Sequence, residues 1–150
     1  MSSSSIYADA AAQHDELGNA AYKAGRLQEA LMHYSRAASC SSSTAKYHTN
    51  RANTLMKLDQ PKQALEAAES AITADVTWVK GHFWKTAALE QLGRLKKALQ
   101  SCKAGLDLDP GNADLCKAHM RIAAALAVQQ QQRRAEQTRR AQEAQQHASF

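Results

Sequence analysis

Glu29-Ala30-Leu31 returns as Gln63-Ala64-Leu65 and again as Lys97-Ala98-Leu99, each alanine 34 residues after the one before (30, 64, 98). Seven positions on, Ala37, Ala71 and Gly105 keep the spacing; upstream, so do Leu17-Gly18, Arg51-Ala52 and Lys85-Thr86. The turn before each triplet holds Gly25, Asp59 and Gly93. Self-similarity at a fixed period of this length marks stacked supersecondary units. Two helices pack closely only where both offer small residues at the crossing. Gly18, Ala52 and Thr86 on the first helix of each pair are therefore expected to face Ala30, Ala64 and Ala98 on the second. Ala37, Ala71 and Gly105 should meet the next pair's first helix, while Leu27, Leu55, Leu89, Leu95, Tyr34, Ile72 and Leu106 fill the interior. One pair cannot bury its apolar face alone, so three pairs and a cap make the stable unit.

Composition agrees. The chain of 150 residues is 44% hydrophobic but only 5% aromatic, much of the apolar share being alanine, with 2 Pro and 6 Gly. Alanine favours helix, and the branched and aromatic residues that strands need are thin. Helices are expected at 8–24, 27–40, 44–58, 61–74, 78–92 and 95–108. Pro61 sits in a first turn, where its missing N–H costs little, with Asp59 as the expected N-cap. Asn112 should cap a seventh helix after Pro110.

The period, the run Leu17-Gly18-Asn19-Ala20-Ala21-Tyr22-Lys23 with Ala30, Tyr34 and Ala37, and the closing Asp107-Leu108-Asp109-Pro110-Gly111-Asn112 resemble the tetratricopeptide repeat family. The resemblance covers roughly residues 11–128. It implies an all-α, right-handed superhelical solenoid of three helix-turn-helix repeats (about 11–44, 45–78 and 79–112) with a long capping helix from 113. Residues 1–10 are an N-terminal segment, and 129–150 a polar Gln/Arg-rich helical extension or tail.

The first helices of such pairs line a concave groove. The candidate groove residues are Asn19, Tyr22 and Lys23, then Lys46, Asn50, Asn53 and Lys57, then Lys80, Phe83 and Trp84. Amides suit a peptide backbone, lysines acidic groups, and aromatics an apolar anchor. The chaperone-binding adaptors of the family hold an acidic C-terminus, Glu-Glu-Val-Asp, in a clamp of Lys, Asn, Asn, Lys and Arg. On this sequence Asn19, Asn50 (in Thr49-Asn50-Arg51) and Lys80 (in Val79-Lys80-Gly81) match, whereas Asp15 and Trp84 stand where the first lysine and the arginine belong. A hydrogen bond to a charged group contributes about 1.5–3 kcal/mol, so two losses amount to about two to four decades in affinity. Lys23, Lys46 and Lys85 are the available replacements. Trp84 is read either as a packing residue or as an anchor.

The function so implied is a non-enzymatic interaction module, an adaptor or scaffold subunit binding a partner peptide or segment in the concave groove, with a stable multi-subunit assembly as a further expected setting. The alternative is a co-chaperone adaptor for heat-shock chaperone tails. Neither cofactor nor metal is expected: Cys116 and His119 share a helical face but lack converging partners, and Cys102 reads as core. No phosphate loop or nucleophile motif is present. A membrane partner is not expected, since no apolar run nears the length of a span and the start lacks a secretory pattern. The formal charge of +5 is spread among acids, apart from Arg133, Arg134, Arg139 and Arg140 in the tail, and no nucleic-acid motif accompanies it. Three scattered cysteines read as reduced thiols, which sets the expected location as cytoplasmic, or on a cytoskeletal or ciliary structure. In the cap, Leu115, Met120 or His119, Ile122, Ala123 and Leu126 should form the buried stripe. Beyond Val128 the tail reads as a frayed polar overrun in the isolated protein, or as a docking arm that orders on a partner.

Overall fold

A computed structural model describes residues 2–149, which form seven helices and no strand: α1 (Ser3–Lys23), α2 (Leu27–Cys40), α3 (Ala45–Lys57), α4 (Pro61–Ala74), α5 (Val79–Gln91), α6 (Leu95–Leu108) and α7 (Ala113–Ala148). Met1 and Phe150, the ends of the expected N-terminal segment and tail, lie outside the described residues. The first six helices make three pairs, α1 with α2, α3 with α4 and α5 with α6. Stacking contacts then join α2 to α3, α4 to α5 and α6 to α7, while α3 also touches α5. The first helices of the second and third pairs thus lie side by side, and that places the groove.

Helix ends follow the expected positions to within a residue from α2 to α6. The first helix departs: it starts at Ser3, where 8 was expected, because Ser2 Oγ accepts the N–H of Ser5 at 3.3 Å and so caps it. Asp59 does not cap α4; Gln60 stands there without a side-chain cap, while Pro61 does open the helix. Asp59 instead occupies the left-handed turn between α3 and α4, with φ of +57° beside +78° at Gly25 and +75° at Gly93. In each turn the following residue's N–H reaches back over the helix end, Arg26 to Ala21 O, Gln60 to Leu55 O and Arg94 to Leu89 O, all at 2.9 Å. This closure needs a residue that tolerates positive φ, which explains the shared turn column.

The column of small residues works differently from expectation in the first pair. A Cβ on Gly18 would lie 2.6 Å from the ring of Tyr34, so its partner is Tyr34, one turn beyond Ala30. The repeat equivalents of Gly18 and Tyr34 are Ala52 with Ala68 and Thr86 with Cys102. The ring of Tyr34 fits because its counterpart has no side chain, whereas the later pairs share the volume between two small residues. Contacts between pairs follow the expectation. Ala37 packs with Tyr47 in one cluster, a Cβ on Gly81 would meet Ala71 at 3.5 Å, and a Cβ on Gly105 would meet Leu115 at 2.8 Å.

The period runs on into the cap, since Leu115 stands 34 residues after Gly81 and its side chain enters the notch at Gly105. A repeated polar contact tracks the same register. His48 Nε2 contacts Ser42 O at 2.8 Å, His82 Nε2 contacts Val76 O at 2.9 Å, and Cys116 Sγ contacts Pro110 O at 3.7 Å. Each ties a helix to the loop before it. Asn112 Oδ1 accepts the N–H of Leu115 at 3.0 Å and caps α7 as expected. The buried stripe of α7 is Leu115, Ala118 and Ile122, with His119 turned partly inward, whereas Met120 is 73% exposed. Arg121 holds Glu90 of α5 through two bonds, of 2.7 and 2.8 Å, fixing the cap to the third pair. Cys102 is buried, its Sγ–H donating to Leu115 O, and burial pushes its thiol pKa up.

Candidate peptide-binding groove

Residues on α1, α3 and α5, joined by the α6–α7 turn, form the groove. Asp15, the departure from the clamp pattern, is only 5% exposed. Its Oδ1 accepts from Asn50 Nδ2 at 2.8 Å and its Oδ2 lies 3.3 Å from Lys46 Nζ. A carboxylate of the chain itself therefore already sits on the asparagine that the clamp would offer to a ligand, with Lys46 as its countercharge. Asn19 is also engaged, its Oδ1 accepting from the Tyr34 hydroxyl at 2.7 Å. Burial, then the Asp15 charge and then Tyr22, push the Tyr34 phenol from 10.0 up to about 12, so it remains a donor in this bond.

The other candidates divide into two groups. Tyr22 donates weakly to Asn53 Oδ1 at 3.4 Å, and Lys57 Nζ lies 5.8 Å from the Tyr22 ring centroid, linking the first and second repeats. Lys23 is exposed and enters no ion pair among the described residues. Asn50, Asn53, Lys80, Phe83 and Trp84 line one recess of about 480 Å³ with Thr49 and Val79. Phe83 and Trp84 meet edge to face at 4.9 Å. Both are half-buried. Trp84 packs on the α3–α4 core and Phe83 on the core beneath α7, so each serves packing and groove at once.

Of the three replacement lysines, Lys46 is committed to Asp15. Lys85 lines a separate recess with Glu69, Arg94 and Lys97. The same structure adds three groove residues that the sequence reading missed, Asp109, Asn112 and Asp114. They come from the α6–α7 turn and the start of α7, outside the first helices from which groove residues were chosen. A signal was present for Asp114, which follows Lys46 and Lys80 at the repeat spacing and reverses their charge.

Among the described residues no group of three or more His, Cys, Asp or Glu side chains is placed to hold a metal, and no helix is long and apolar enough to cross a membrane.

A family model described as tetratricopeptide repeat matches residues 45–75 and 85–112. No curated protein matches the sequence. Among solved structures, the TPR domain of Arabidopsis OM64 is 30% identical with a TM-score of 0.74, over 77% of this chain and 96% of that one. The first TPR of Spaghetti (RPAP3), bound to the HSP90 peptide SRMEEVD, is 25% identical with a TM-score of 0.78, over 80% and 95% of the two chains. The second TPR domain of human RPAP3, in complex with the HSP70 peptide SGPTIEEVD, is 25% identical with a TM-score of 0.73, over 80% and 98%. With the helix pairs, their left-handed turns and this likeness together, the chain belongs to the tetratricopeptide repeat family.

Proposed function

We propose that this chain is a protein-interaction module that grips a peptide segment of a partner in the groove of α1, α3 and α5, as an adaptor or scaffold subunit. The observation that carries the choice of ligand is the buried Asp15 carboxylate held by Asn50 and Lys46. An incoming C-terminal carboxylate has to displace it and then face its charge, and no arginine stands at Trp84 to compensate. The ligand is accordingly an internal segment, with amides meeting its backbone and Phe83 and Trp84 its apolar surface.

The second reading, a co-chaperone adaptor for acidic chaperone tails, has one observation in its favour: two similar domains are bound to peptides ending EEVD. Titration of labelled SRMEEVD, with a free or an amidated C-terminus, separates the readings. The expected outcome is weak binding indifferent to amidation. In an Asp15→Lys/Trp84→Arg double variant, affinity for the free acid should rise by about two decades or more, because both missing charge-assisted bonds are restored. Tight binding to the unaltered chain that amidation abolishes would establish the co-chaperone reading instead.

A further inference from the structure

We propose that the recess beside Trp84 receives a basic side chain, arginine in preference to lysine, from the bound segment; this deepens the groove reading and rests on it. Charge is the first reason. At the repeat column of Lys80, the match to the clamp's second lysine, the chain carries Lys46, Lys80 and then Asp114, so the sign reverses on entering α7. Asp114 lines the recess with Asp109, and Lys80 is the single cationic side chain lining it with them. Neither carboxylate enters an ion pair among the described residues. Asp109 Oδ2 accepts one hydrogen bond, from Asn112 Nδ2 at 3.1 Å, and its side chain accepts no other among the described residues. The recess thus holds two carboxylates outside any ion pair against one cation, a net charge of −1.

Its wall is the second reason. Phe83 and Trp84 present aromatic carbon beside these carboxylates, and a long basic side chain is apolar along its stem and charged at its tip. The stem lies along the rings, where a cation is also favoured, and the tip reaches Asp109 and Asp114. A planar guanidinium matches paired carboxylates better than an ammonium does. An acidic side chain in the same place would face both carboxylates, while a purely apolar one would leave them unused. Trp84, at the arginine column of the clamp, therefore inverts what the position recognises: a cation supplied by the protein gives way to a surface for a cation supplied by the ligand.

The test begins with selection from a random-peptide library on the whole purified chain, followed by anisotropy with the selected peptides. Peptides carrying Arg or Lys at one shared position are expected. Replacing that residue with norleucine should weaken binding about tenfold, the worth of one charge-assisted bond. In an Asp109→Asn/Asp114→Asn variant, whose asparagines keep the turn's acceptors, the difference between the two peptides should shrink towards one. Selected peptides without a basic position, or a preference unchanged in the variant, overturn the basic-side-chain proposal and leave the groove reading standing. If no peptide is selected at all, the groove reading fails and takes this proposal with it.

Discussion

Tyr34 illustrates how one residue is set by several neighbours. Its ring fills the space that Gly18 leaves, its hydroxyl donates to Asn19, and its phenol is pushed up to about 12 by burial and by the Asp15 charge. The folded chain therefore holds this proton more tightly than the unfolded chain, whose phenol titrates near 10.0. Stability from this group is fully present below pH 10 and is lost as pH rises towards 12, because the unfolded state releases the proton first. Denaturant titrations across pH 10–12 should show this decline, and a Tyr34→Phe variant should have a shallower one. An unaltered slope in that variant would assign the pH dependence to other groups. The candidate groove was partly legible: Asp15 and Trp84 stood out in the sequence as departures from the clamp pattern. That Asp15 accepts from Asn50 was not legible, since the bond joins residues 35 positions apart on different helices.

At the scale of the element, turns and caps decide where helices stop. Asp59 adopts at +57° a conformation that the first and third repeats give to glycine. A non-glycine residue there costs about 1–2 kcal/mol, less for Asp than for most. The bond from Gln91 Nε2 to Asp59 Oδ1 is exposed and offsets little of this. An Asp59→Gly variant should accordingly be more stable by about 0.5–1 kcal/mol in chemical denaturation, the strain relieved exceeding the added freedom of the unfolded glycine. A loss of stability would mean that the Gln91 contact outweighs the strain. Helices α2 to α6 were readable almost to the residue because turn residues bound them. The start of α1 was not, because the serine run at its head carries no apolar period and the cap by Ser2 is a matter of local geometry.

The whole molecule is a stack whose cohesion ends well before its chain does. From residue 130 onward every described side chain of α7 is exposed. Arg133 still borders a shallow recess at the α5–α6 turn, but past it the ion pairs among the described residues are the helix's own, Glu136 with Arg140 at 2.6 Å and Arg139 with Glu143 at 3.7 Å. Exposed pairs of this spacing contribute about 0.3–0.5 kcal/mol each. A polar helix of this length without a packing face is marginal in water. Hydrogen exchange should therefore find amides beyond Arg134 nearly unprotected, while those of Leu115 to Ile122 exchange only with global unfolding. Ending the chain after Arg134 should leave its unfolding free energy unchanged within about 0.5 kcal/mol. A larger loss would mean that the extension packs on the body.

The sequence by itself determined the repeat, the helix pairs, the small-residue columns and the capping by Asn112, because each follows from local propensity or from a spacing that recurs along one chain. It also marked the two altered clamp positions. Only the tertiary structure decided what those side chains meet. Asp15 meets Asn50 and Lys46, and Asp109 and Asp114 join Trp84, through the stacking of helices distant in sequence. Hydrogen bonds and ion pairs act over a few ångströms between side chains, and periodicity names the face on which a side chain lies without naming the partner it will find there.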